Sequence, residues 1–209
     1  MIPHEALTLL GVFFLALITP GADFAFVVRE SVMYGRRAGV VASLGLGAAL
    51  LVHVSYTVLG LGILISQSVL AFTLVKWAGA IYLVVLGVLS LRASPVSAAV
   101  EEAPMRGERT LRRSFGFGFL TNLLNPKAAL FFVSLFTVIV AHTTPAAAKA
   151  GYGVIMAAML VTWFSLVAIF LTTPKVRMAF TRFGRWINRV TGLVFITLGI
   201  RLALQRAAP

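Results

Sequence analysis

Thr19-Pro20-Gly21-Ala22-Asp23, set in an apolar run from Ala6 to Val28, and Asn125-Pro126-Lys127, set in another from Ser114 to Val140, decide how this chain is read. Each proline removes a backbone donor and obstructs the preceding helical turn, so an apolar helix breaks there and leaves carbonyls free. An acid stands beside one break and a base beside the other. A charged side chain at the centre of a membrane helix costs about 3 kcal/mol, so such residues face a cavity or each other. Paired broken helices at matching places in two halves of a chain point to a transporter's substrate site.

The surrounding composition makes membrane depth the right frame. Of 209 residues, 60% are hydrophobic and only 11% charged, far too apolar for a soluble domain of this size. Six stretches suit a hydrocarbon core of about 30 Å. They are Ala6–Val28, Ala38–Leu64, Leu70–Leu91, Ser114–Val140, Ala147–Thr172 and Asn188–Leu204. The last is the least apolar, with Val190–Ile200 its only uninterrupted run and Arg201 required to snorkel or find a partner. The expected fold is an all-α polytopic membrane protein of six transmembrane helices, the first and fourth broken.

The net charge of +12 is uneven: 13 of the 18 Lys and Arg lie in Arg29–Arg37, Arg92–Arg113 and Lys175–Arg189. Those segments share one side if the spans alternate. The positive-inside rule puts them in the cytoplasm and both termini outside, so the basic surface faces anionic lipid rather than nucleic acid. The first apolar run has no basic leader, only His4 and Glu5, and reads as a retained helix rather than a signal peptide.

Ala93–Arg113, with Pro95, Pro104 and three of the six acids, is the one stretch that looks like a linker. It separates residues 1–92 from 114–209, three spans on each side, within a single transporter domain. Three is odd, so the second group enters the membrane upside down relative to the first, a 3+3 inverted repeat. The two breaks then align 106 residues apart, with Phe24-Ala25-Phe26 over Leu130-Phe131-Phe132. Gly39, Ser43 and Gly47 recur every four residues and make a smooth face for close helix approach. Internal packing is the expected use of that face, and a homodimer interface the alternative. Val176, Phe180, Phe183 and Ile187 recur at helical spacing against Arg182, Arg185 and Arg189, the pattern of a separate amphipathic helix at the lipid surface.

Asp23 is the only acid inside any of the six stretches. It either caps the helix that resumes after Pro20-Gly21 or binds a cation, an ammonium or a proton. Lys127 lies too deep to snorkel easily in either direction; it is either half of a structural ion pair or the holder of a carboxylate. Asn122 and Asn125 add neutral donors and acceptors beside Pro126. His53, within the second span, is either a hydrogen-bonded packing residue or a proton relay. The candidate substrate-binding set is therefore Asp23, Lys127, Asn122, Asn125, Pro20, Gly21, Pro126 and His53. There are no cysteines, no phosphate-binding Gly-Lys-Ser/Thr loop, no paired histidines at metal-ligand spacing and no Ser/His/Asp constellation. No enzyme, cofactor or metal is expected. An amino-acid exporter fits the two opposite charges. A cation or metal-ion exporter, or a scaffold in which the charges form a static pair, is the alternative.

These residues carry a resemblance. The chain resembles the lysine-exporter (LysE/RhtB) family of bacterial amino-acid exporters. The likeness runs from Thr19-Pro20-Gly21-Ala22-Asp23 through Gly35-Arg36-Arg37-Ala38-Gly39 and His53 to Lys76-Trp77-Ala78-Gly79-Ala80-Ile81-Tyr82-Leu83 and Leu86-Gly87. It continues in Gly116-Phe117, Leu120-Thr121-Asn122 and Asn125-Pro126-Lys127-Ala128-Ala129-Leu130-Phe131-Phe132. The Asn-Pro-Lys segment is the most specific piece. The family often has a second proline where this chain has Ala22. The resemblance implies six helices in the bacterial cytoplasmic membrane, with amino acids and protons as the partners in efflux. On the topology read from charge, cysteines introduced at Ser97 and Ala208 label from opposite sides of the membrane; labelling of both from one side would sink both the orientation and the inverted repeat.

Overall fold

The computed structural model describes residues 3–67, 69–93, 109–141, 143–170 and 174–204. Within them the chain forms eight α-helices: α1 (Pro3–Ile18), α2 (Ala22–Tyr34), α3 (Arg36–Gln67), α4 (Val69–Arg92), α5 (Leu111–Leu123), α6 (Pro126–Ile139), α7 (Ala146–Phe170) and α8 (Pro174–Leu204). Four segments are long and apolar enough to cross a membrane alone: Arg36–Gly60, Thr73–Arg92, Ala146–Phe170 and Phe183–Leu204. The other four helices form two bent pairs, α1–α2 at 53° and α5–α6 at 58°, which bring the count to six spans if each pair is one crossing. The protein is a multi-pass membrane protein, with the order broken, long, long given twice.

The two breaks fall where the prolines put them and are finished differently. At the first, α2 begins after Gly21, which is extended and offers no side-chain cap. At the second, Asn125 is held extended by the proline that follows it. Its side chain accepts from the Lys127 amide at 3.0 Å, and Pro126 occupies the first helical position, where no donor is needed. Gly35 ends α2 at φ 89°, backbone that only glycine adopts without strain, and α3 starts from its carbonyl.

Long helices meet at positions without side chains. Gly118 of α5 sits on the Ala42 carbonyl of α3, and Gly45 of α3 sits on the backbone of Phe115 and Phe119. Gly39 packs on Ser31 of α2 and Ala168 of α7, while Gly47 packs on Val161 and Ser43 is fully buried. The small-residue face of the second span is therefore used inside the molecule. α4 and α8 approach in the same way, a Cβ on Gly87 falling 2.6 Å from the Gly192 carbonyl. Large apolar side chains such as Leu7, Leu59, Leu70, Leu74, Ile81, Leu193 and Leu204 point outward, as lipid contact requires.

One expectation changes. The amphipathic stretch before the last span is not a separate helix but the first part of α8, which runs unbroken from Pro174 to Leu204. No proline follows Pro174 within it, and Gly184 and Gly192 do not stop a helix that is packed on α4. Side chains before Phe183 in this stretch, most of the linker (94–108) and Ala208 lie outside the described residues.

Two buried acids tie the halves together at opposite ends. At the basic end, Glu30 of α2 accepts from Arg109 at 2.7 Å and from the Ser114 hydroxyl of α5 at 2.8 Å. The Arg109 guanidinium lies between the rings of Tyr34 and Phe117, 4.5 and 4.2 Å from their centres. At the other end, Glu5 of α1 accepts from the Ala141 amide and the Thr144 hydroxyl, both at 3.0 Å. Gly118→Val forces backbone apart and is expected to cost about 3 kcal/mol or more, read as a lower melting temperature in detergent. Gly116→Ala, with nothing within 4 Å of its Cβ, should leave that temperature unchanged.

Candidate functional site

The breaks open onto one cavity. It is lined by Thr19, Gly21, Ala22 and Asp23 from the first break and by Asn122, Asn125, Lys127 and Ala128 from the second. Its volume is about 740 Å³ with the open mouth included. The remaining wall is apolar apart from Ser90 of α4, with Phe13 and Leu17 of α1, Leu86 of α4, Phe131 of α6, Phe164 of α7 and Phe195 of α8. Both prolines stand behind the wall, shaping it without lining it.

Asp23 does not cap α2. Instead its Oδ2 accepts from the Asn122 side-chain amide at 2.7 Å, joining the first half-helix pair to the second. A carboxylate oxygen accepts, so the nitrogen of Asn122 faces it and the Asn122 oxygen is turned elsewhere. Asp23 Oδ1 and Asn122 Oδ1 are both buried with no hydrogen-bond partner. Both atoms belong to residues of the cavity wall but are themselves closed off from solvent, and Asn125 stands beside Asp23 as a second amide.

Lys127 brings the opposite charge. Its ammonium reaches the Gly21 edge, 3.9 Å from where a Cβ on that glycine would stand. No ion pair joins Lys127 to Asp23 within 4 Å among the described residues; the pair that forms there is Arg109–Glu30. The two charges line the same cavity and attract each other across it without a direct ion pair. The Lys127 backbone is held independently, its carbonyl accepting from the Tyr82 hydroxyl of α4 at 2.6 Å. On the first break, the Thr19 hydroxyl donates to the Leu15 carbonyl at 2.7 Å and lies 2.9 Å from that of Thr191 on α8.

Of the residues singled out from sequence, Asp23, Asn122, Asn125, Lys127 and Gly21 come together on the wall, and His53 stands behind Asn122, away from the cavity. Sequence reasoning missed the α4 and α8 contributions, Leu86, Ser90 and Phe195, because no motif marks an apolar residue or a lone serine as a cavity wall. It also missed Glu30, which sits past the end of the first apolar run and is nonetheless 3% exposed.

The LysE type translocator family matches residues 5–206. The chain belongs to that family. The threonine efflux protein of Escherichia coli strain K12 is 32% identical to it over 201 residues, covering 96% of this chain and 98% of that protein. The homoserine/homoserine lactone efflux protein of Salmonella typhimurium is 30% identical over 199 residues, 91% of this chain and 92% of that protein. An uncharacterized membrane protein of Bacillus subtilis, YrhP, is 28% identical over 212 residues, 97% of this chain and all of that protein. No solved structure matches.

Asn125→Ala removes the cap of α6 and should lower stability by about 1 kcal/mol. Thermal unfolding in detergent reads this, and an unchanged midpoint would mean that Pro126 alone holds the second break.

Proposed function

We propose that this translocator exports zwitterionic amino acids with neutral side chains across the bacterial cytoplasmic membrane, driven by the proton gradient. The observation that carries this reading is the unpaired juxtaposition of Asp23 and Lys127 in one cavity. A zwitterion needs one contact of each sign. Asp23 supplies the negative contact for an ammonium, and Lys127 supplies a donor for a carboxylate. The relatives named for threonine and homoserine efflux support the substrate class.

Antiport follows if Asp23 is also the proton carrier. A protonated Asp23 cannot hold an ammonium as tightly as an ionised one, so proton and substrate compete for one group. The cavity then changes sides between the two occupancies without a separate coupling device. The matching breaks support an inverted repeat of residues 1–92 and 114–209 around this site, with both termini outside and the linker in the cytoplasm. A metal cation is a poorer fit, because Lys127 faces the same space.

Uptake of a panel of labelled amino acids into inside-out vesicles, with and without an imposed pH gradient, tests the proposal, since export corresponds to uptake in that orientation. Asp23→Asn should abolish gradient-driven accumulation while weakening substrate binding less. Lys127→Gln should raise KM for every carboxylate-bearing substrate about tenfold or more, the loss of a charged hydrogen bond. If both variants transport normally, neither charge holds the substrate and this assignment fails.

A further inference from the structure

His53 is 1% exposed and does not line the cavity, yet both of its ring nitrogens are engaged. Nε2 lies 3.0 Å from the backbone carbonyl of Asn122, and Nδ1 meets the hydroxyl of Tyr56 one helical turn on. A carbonyl can only accept, so Nε2 carries the proton. In the neutral ring Nδ1 is then bare and accepts from Tyr56, which fixes the tautomer. The flat of the ring is set by Phe132, stacked at 5.8 Å and 17°. A histidine used only to fill space would not need all three contacts.

The carbonyl it holds belongs to the residue that matters most at the second break. Asn122 lies in the last turn of α5, and its carbonyl also receives the Asn125 amide at 3.0 Å. From the same residue the side-chain amide reaches across to Asp23 at 2.7 Å. His53 therefore braces, from α3, the one peptide whose side chain orients the Asp23 carboxylate.

We propose that His53 is a positioning residue. Its Nε2–H fixes the Asn122 peptide, and through it the side-chain amide that holds the Asp23 carboxylate at the cavity wall. It works as a hydrogen-bond donor and not as a proton carrier. A backbone carbonyl has no proton to pass on, so the link from His53 towards Asp23 does not conduct. Tyr56 selects the tautomer that makes the brace. The proposal rests on the reading of Asp23 as the substrate contact.

The test uses the full-length chain in inside-out vesicles with a mixture of labelled threonine, homoserine, valine and leucine, alongside the purified protein in detergent. His53→Gln keeps a side-chain donor and should keep KM within about threefold of the parent, with the same dependence on pH. His53→Leu removes the donor at similar volume and should raise KM about tenfold, with a smaller change in maximal rate. In a His4→Gln, His142→Gln background, imidazole nitrogen NMR of the one remaining ring should show that its neutral form carries the proton on Nε2 and leaves Nδ1 bare. That measurement needs neither transport nor a mutated His53. Loss of gradient-driven uptake in His53→Gln would overturn the proposal in favour of a relay, and a neutral ring protonated on Nδ1 would remove the brace. A parental KM in folded His53→Leu would overturn it too. If the parent chain takes up none of the four amino acids, the choice of substrate fails, while the tautomer measured by NMR still decides whether the brace exists.

Discussion

Backbone that leaves helical geometry inside a membrane has to be satisfied by protein or by water, because lipid offers no hydrogen bonds. Nearly everything in this fold answers that demand at two places. The second break meets it locally: Asn125 caps, Pro126 needs no donor, and the Asn122 carbonyl takes both an amide and an imidazole. The first break meets it less completely. Gly21 gives no side-chain cap, and Thr19 is anchored sideways to Leu15 and Thr191. The less finished break is the one that carries Asp23, and the better finished one reaches over to hold it.

Crossing the two broken pairs also settles what the long helices must do. α3 runs past both breaks, packing on α2, α5, α6 and α7, and so carries the glycine positions on which α5 and α7 rest. Those contacts set helix spacing by backbone rather than by side-chain fit, which suits a setting where apolar surface gains little by leaving lipid. The acids at the ends fasten what the glycines bring near. Glu30 with Arg109 and Ser114, and Glu5 with Thr144 and the Ala141 amide, each join a half-helix of one group of spans to the other group.

The broken helices, their charges and the class of fold were legible in sequence for a simple reason. In an apolar stretch a proline or an ionisable residue stands out against its background, so Pro20, Asp23, Pro126 and Lys127 announced themselves. Asn122 was found only by its nearness to them. The residues that escaped are those that resemble their surroundings, such as Leu86 and Phe195, or those whose role depends on a distant partner. Glu30 read as part of a loop because the arginine that accompanies it into the interior is 79 residues away. The continuity of α8 escaped because charge pattern says which face of a helix is wet and says nothing about whether the helix bends. His53 was placed correctly on the second span, but the atom it holds is a main-chain carbonyl, which leaves no mark in a side-chain pattern.

The contact between α4 and α8 has a mechanical side. With Gly87 against Gly192 and Gly199 against Ala80 and Val84, the two main chains touch at several heights, and the ridges of each lie in the grooves of the other. Sliding one along the other would drive carbonyls into Cβ atoms, so the pair is keyed in register like two halves of a splint. Among the described residues, their main contacts with the broken pairs run through α1 and α6. Leu86 and Ser90 from one helix and Phe195 from the other therefore reach the cavity from a pair of helices whose spacing is set by main chain rather than by side-chain fit.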